Sequence, residues 1–117
     1  MPVRDGLTQA KIMGLRAGTT HRFTGVWVVV VQQRVFVRSW NDKPTGWRQA
    51  FVAEPRGTLQ LGDREIRVRA KPVRSESLLA AIDHAYREKY TSQANRKWVR
   101  GFRVPRRRNT TMELVPR

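Results

Sequence analysis

"TGVWVVVVQQRVFVRSW", Thr24 to Trp40, is the stretch on which the architecture turns. Thr24 to Val31 is β-branched and apolar at consecutive positions, the pattern of a central strand covered on both sides. Gln32-Gln33 reads as a hairpin turn. Arg34 to Trp40 then alternates, with Val35, Val37 and Ser39 on one face and Arg34, Phe36, Arg38 and Trp40 on the other, so one face of this second strand is half polar.

Working outward, Lys11 to Ala17 carries mixed signals, helical before Gly14 and strand-like after it, and a strand is expected near Gly14 to Ala17 with Gly18-Thr19-Thr20 turning the chain. Downstream, "NDKPTG" is turn chemistry, because Asn and Asp bond their own backbone, Pro fixes φ and Gly accepts positive φ. Thr45 is placed to cap a short helix from Gly46 to about Ala53, which Pro55 and Gly57 stop. Thr58 to Leu61 and Arg64 to Val73 flank Gly62-Asp63, a strong hairpin signal. In the second of these strands Ile66, Val68 and Ala70 point to the core, and Arg67, Arg69 and Lys71 point to water. Ser75 caps a helix running to about Tyr90, whose Leu78, Leu79, Ile82, Ala85 and Tyr86 repeat at helical spacing. A last strand sets Met112 and Leu114 against Thr111, Glu113 and Val115. The sum is a mainly β chain with α (α+β), five or six short strands with one amphipathic helix inserted before the last, compatible with a small barrel or a helix-covered sheet.

Length and composition bound the function. A chain of 117 residues is expected to form a single domain, 1–117. Its mean hydropathy is −0.61, and its longest apolar run, Val26 to Val31, is far short of the roughly 20 residues of a membrane span, so no membrane partner is expected. Met1 to Ala10 lacks the apolar segment of a secretory signal, and a cytoplasmic location follows as the expectation. Without cysteine there is no disulfide or thiolate zinc site, and His21 and His84 lack a ligand cluster, so no metal is expected. Lysine and arginine number 24 against nine acids, a net charge of +15, and 19 of the 24 are arginine, so polyanions will be attracted.

Two groups of residues are candidates for binding. Arg38 and Ser39 at a strand end, Lys43 in the loop, and Trp47 and Arg48 in the short helix form either an anion pocket or a charged rim. The segment "NRKWVRGFRVPRRR" contains Arg96, Lys97, Arg100, Arg103, Arg106, Arg107 and Arg108 without an acid, interleaved with Trp98 and Phe102. It either tracks a nucleic-acid backbone without sequence preference, or is a surface loop whose Trp98, Val99 and Phe102 dock on the barrel. Classical catalysis finds little support: His84 faces Glu88 at i,i+4, His21 lies in a turn, and Ser39, Ser75, Ser77 and Ser92 lack a nucleophile-elbow context. A redox enzyme would need only a bound cofactor, which carries the hard chemistry itself.

The blocks "VWVVVVQQRVFVRSW", the "GW" opening the short helix, "RGTLQLGDREIRVRAKPV", "IDHAYREKY" and the final "LVPR" resemble the bacterial family called domain of unknown function 2255, over most of the chain from about Thr24 onward. More remotely, the order of elements is similar to that of the deazaflavin-dependent nitroreductases and split-barrel flavin-binding proteins. The resemblance implies a small split β-barrel of about six strands, commonly a homodimer holding its cofactor at the subunit interface, and the aromatic surface of Trp27, Trp40, Trp47 and Trp98 also favours a homodimer. It implies a phosphate-bearing ligand, FMN or a deazaflavin, gripped by "AGTTHRFTG" through Thr20 and Arg22 and by "VRSWNDK" through Arg38, Ser39 and Lys43. The first segment has Gly18 and Gly25 but not the lysine-rich phosphate turn of those relatives, so a barrel that has lost its ligand is the other implied outcome.

Overall fold

Seven strands run antiparallel in one sheet: β1 Met13–Ala17, β2 Thr24–Val26, β3 Val28–Val31, β4 Arg34–Val37, β5 Arg56–Leu61, β6 Arg64–Pro72 and β7 Met112–Pro116. The structure is a computed structural model that describes residues 12–19 and 21–117. The spatial order is β2-β1-β5-β6-β7-β4-β3, so the two end strands are consecutive in sequence and separated by Trp27 alone. Met13 pairs with Val26, while two residues later Val28 pairs with Val37 on the other end of the sheet. The apolar stretch 24–31 is thus one extended segment that changes partner at Trp27, and this change curls the sheet into a nearly closed antiparallel barrel.

The absence of alternation in that stretch has its cause in two separate cores. Val26, Val28 and Val30 face the barrel interior with Leu15, Val35, Val37, Leu59, Val68 and Leu114. Trp27, Val29 and Val31 face outward and are covered by helices, together with Phe36 of β4. The hairpin at Gln32 and Gln33 takes positive φ at both residues, 54° and 64°, which matches the twist of the strands it joins. On the outer face of the neighbouring β4 and β7, Arg34 donates from Nε and Nη2 to the two carboxylate oxygens of Glu113 at 3.0 and 2.7 Å. These bonds hold the Glu113 carboxyl below its ordinary range.

Helix α1, Trp47–Ala53, closes one end of the barrel by sending Phe51 into the interior core. It approaches β5 so closely that a Cβ on Gly57 would lie 2.6 Å from the Phe51 ring, which is why glycine stands there. The expected Thr45 cap does not form: Gly46 is the N-cap without a side-chain bond, because its N–H closes a turn onto the Lys43 carbonyl at 2.9 Å and the helix starts one residue later than Thr45 could serve.

Helix α2, Glu76–Lys89, is capped by Ser75, whose Oγ accepts from the Leu78 N–H at 3.3 Å. It lays Leu79, Ile82 and Tyr86 on β3 and β4; fully burying a side chain such as Ile82 contributes about 1.5–3 kcal/mol. A 3₁₀ turn, Gln93–Asn95, leads to two further short helices, α3 Arg96–Gly101 and α4 Pro105–Arg108. The basic segment expected as a loop is therefore mostly helical, and Val99 and Phe102 are the docked residues of it. Trp98 is 40% exposed.

Candidate functional site

β4 stops at Val37 because the next backbone donors turn to side chains. The Arg38 N–H donates to the Tyr86 hydroxyl at 3.1 Å and the Ser39 N–H to Thr110 Oγ1 at 2.8 Å, so neither bonds a strand. The chain from 38 to 46 consequently leaves the sheet and stands away from the crossover at Trp27. Between them lies a cleft of about 470 Å³, lined on one side by Thr24 to Trp27, on the other by Ser39, Trp40, Lys43 and Trp47, and closed by Trp98 and Phe102.

The walls of this cleft are stiff. Ser39 Oγ accepts from the Asp42 N–H at 2.9 Å, and Asp42, at φ 46°, receives Arg48 Nη1 at 2.9 Å and Gln49 Nε2 at 3.2 Å. Trp40 is held on every side: the Arg107 guanidinium lies 3.6 Å from its ring centre, Arg107 Nε donates to its carbonyl at 2.9 Å, and Trp98 and Phe102 pack edge-on at 4.8 and 5.4 Å. Its ring also lies against α3 where a Cβ on Gly101 would come within 2.2 Å.

A second, smaller crevice of about 170 Å³ adjoins the first and shares Thr24, Thr45, Gly46 and Trp47 with it. Arg16, His21 and Arg22 line it. Arg16 stacks its guanidinium on Phe23 at 4.4 Å, and its Nε is buried with no hydrogen-bond partner among the described residues. Among the described residues no carboxylate lines this crevice, and Arg16 and Arg22 make its lining cationic.

The two stretches singled out in the sequence thus meet: Arg22 from the β1–β2 connection borders the crevice, and Ser39, Lys43 and Trp47 border the adjoining cleft. Thr20 lies outside the described residues. Arg38 also borders the cleft, but its guanidinium is engaged within the protein. Nε donates to Thr111 Oγ1 at 2.7 Å, Nη1 to Asp83 and to the Phe102 carbonyl, and Nη2 to the Leu79 carbonyl at 3.1 Å. Arg48 is committed to Asp42, with its Nε buried and unpartnered among the described residues. Sequence reasoning missed Arg16 and His21 as neighbours of Arg22; the available signal was the alternation of β1, which puts Arg16 on the face opposite to Leu15 and Ala17.

The basic segment is divided among several tasks. Arg107 fixes Trp40, and Arg108 reaches Glu76 at 2.8 Å and Asp83 at 2.9 Å. Lys97 lies 5.2 Å from the Trp98 ring centre. Arg96, Arg100 and Arg103 line a separate cavity beside α2, and Arg106 makes no ion pair among the described residues. His84 contacts Arg87 at 3.0 Å and Glu88 at 3.6 Å on the exposed side of α2. Burial pushes the hydroxyl pKa of Tyr86 upward, so it stays a neutral donor to the Trp27 carbonyl at 2.7 Å. Among the described residues no group of three or more His, Cys, Asp or Glu gathers, and no helix is long and apolar enough to cross a membrane.

Two solved structures share the architecture. A conserved hypothetical protein of Mycobacterium tuberculosis superposes with a TM-score of 0.65 at 16% identity, over 96% of this chain and 75% of that one. A Listeria innocua protein provisionally named a pyridoxamine 5'-phosphate oxidase gives 0.62 at 12% identity, over 98% of this chain and 94% of that one. At these identities the likeness is one of fold, and it places the barrel with split-barrel-like proteins. No curated protein matches the chain significantly. The profile of an uncharacterized protein family conserved in bacteria matches residues 8–114, nearly the whole length. The sequence blocks, the barrel and this match agree: the chain belongs to the family called domain of unknown function 2255.

Proposed function

We propose that this protein binds a flat, phosphate-bearing cofactor of the flavin or deazaflavin type, with its ring system in the larger cleft and its phosphate in the crevice beside it. The observation that carries the reading is the continuity of the two cavities, which share Thr24, Thr45, Gly46 and Trp47 while differing in character. The larger is walled by Trp27, Trp40, Trp47 and Trp98, and the 40% exposed Trp98 keeps ring surface open to a planar ligand. Among the described residues the smaller presents Arg16, His21 and Arg22 with no carboxylate, and the Nε of Arg16, without a partner among them, is a donor that an oxyanion would satisfy.

In this reading Arg22 takes the place of the lysine-rich turn as the phosphate ligand, with Thr20 beside it in sequence, while Ser39, Lys43 and Trp47 contact the rest of the molecule. Arg38 and Arg48 position the loop that carries those groups. The Listeria neighbour's provisional name refers to a phosphate ester, the same ligand chemistry. Any reaction would be the cofactor's own redox chemistry, and the chain's part would be to bind, orient and exclude water.

The test is a titration of the purified protein with FMN, with riboflavin, which lacks the phosphate, and with a deazaflavin, followed by the change in visible absorbance. FMN or the deazaflavin should bind, and Arg22→Ala should weaken the phosphate-bearing ligand by about tenfold or more while changing riboflavin little. Arg22 is exposed, so its removal leaves the barrel intact. Absence of binding by any of the three, or equal weakening of FMN and riboflavin, would sink the reading and leave a barrel without its ligand.

A further inference from the structure

Away from the cleft, a cavity of about 480 Å³ opens between the C-terminal part of α2 and helix α3. Four arginines line it, Arg87 from α2 and Arg96, Arg100 and Arg103 from α3 and the turn after it, around a floor made by Tyr90 and Val99. The spacing explains the convergence: positions 96, 100 and 103 are i, i+4 and i+7, one stripe of a helix, and Arg87 meets that stripe from the opposing wall. Among the described residues no carboxylate lines the cavity. Among the described residues Arg96, Arg100 and Arg103 make no ion pair, while Arg34, Arg38, Arg48, Arg56 and Arg108 all do. Like charges gathered in a concavity repel one another and focus a positive potential, which an anion of matching charge density relieves.

We infer that this cavity is a second binding site, for a compact phosphoanhydride-type anion that carries several charges. Two observations favour a compact anion over a nucleic-acid strand. In the neighbouring hollows Asp83, joined in one of them by Glu76, stands among Arg87, Arg103 and Arg108, so unbalanced positive charge gives way there to mixed charge. The aromatic rings near the cavity are not open to a strand lying in it: Phe102 packs on Trp27, Trp40 and Tyr86, Tyr90 stacks on Trp27 at 4.3 Å, and the exposed Trp98 lines the cleft rather than this cavity. Multiple phosphates, each able to accept from a planar guanidinium, fit four converging arginines better than a single carboxylate does.

Inorganic tripolyphosphate is the probe, titrated calorimetrically into the full chain. One molecule per chain should bind, and Arg96→Ala with Arg100→Ala should weaken it by at least about tenfold. Arg67→Ala with Arg69→Ala removes the same charge from the solvent face of β6 and should change the affinity by less than about twofold at moderate salt. Arg22→Ala should leave it unchanged, which separates this site from the crevice of the proposed cofactor. All these arginines are exposed, and thermal melts identify any variant that fails to fold. The inference is overturned if wild-type protein does not bind the probe, or if the two double variants lose it equally. It is equally overturned if a single-stranded oligonucleotide binds tightly through Arg96 and Arg100 while tripolyphosphate does not compete.

Discussion

Arg38 illustrates how a side chain's surroundings override its type. Its side chain is fully buried, and its guanidinium spends four hydrogen bonds on Thr111, Asp83, Phe102 and Leu79, which tie β4, α2, the end of α3 and the start of β7 together. A buried charge is tolerable only with such complete pairing, and breaking one partner leaves the other stranded. Arg38→Met is therefore expected to destabilise the fold by about 3–5 kcal/mol in urea denaturation. Arg38→Lys should recover little of this, because an ammonium cannot reproduce the planar fork. A loss below about 1 kcal/mol for Arg38→Met, the scale of exposed ion pairs, would mean that the network is incidental.

At the level of elements, the wall of the cleft depends on how closely α3 approaches the chain after β4. The outer edge of the Trp40 ring lies against the helix at Gly101, with Arg107 of α4 over the ring, so glycine is required by contact rather than by backbone dihedral. Gly101→Ala would place a Cβ within 2.2 Å of the indole, forcing either the helix or the ring to move. Overpacking of this kind costs about 1–3 kcal/mol, read as a lower melting temperature together with altered tryptophan emission. If both are unchanged, Trp40 is not clamped as described. The same variant should also weaken a ring-bearing ligand in the cleft.

For the whole molecule, we propose that the protein is a homodimer. Three of its four tryptophans, Trp27, Trp40 and Trp47, are at least partly buried within the protomer, whereas Trp98 is 40%, Val52 61% and Ile12 69% exposed. Exposed aromatic and apolar groups of this kind favour an interface. Each protomer carries a net charge of +15, so mutual repulsion opposes association and salt should strengthen it by screening. Light scattering should give about twice 13.6 kDa, with the dimer fraction rising from low to moderate salt. A mass that stays at 13.6 kDa over micromolar concentrations and at every salt concentration would count decisively against a dimer.

What the sequence by itself determined is what depends on neighbouring residues. The hairpin turns at Gln32-Gln33 and Gly62-Asp63, the two-residue alternation of β4, β6 and β7, and the Ser75 cap were all legible, because turn chemistry, period and capping act over a few positions. The unbroken apolar run of 24–31 announced two covering layers, but not that the strand would change partners at Trp27 and close a barrel. Arg38 and Arg48 looked alike as charges beside a loop, and only tertiary packing decided that Asp83, 45 residues away, would claim one and Asp42 the other. Arg16 and His21 were invisible as site residues for the same reason. Alternation tells which face of a strand a side chain occupies, and only the folding of distant segments onto that face decides what the side chain meets there.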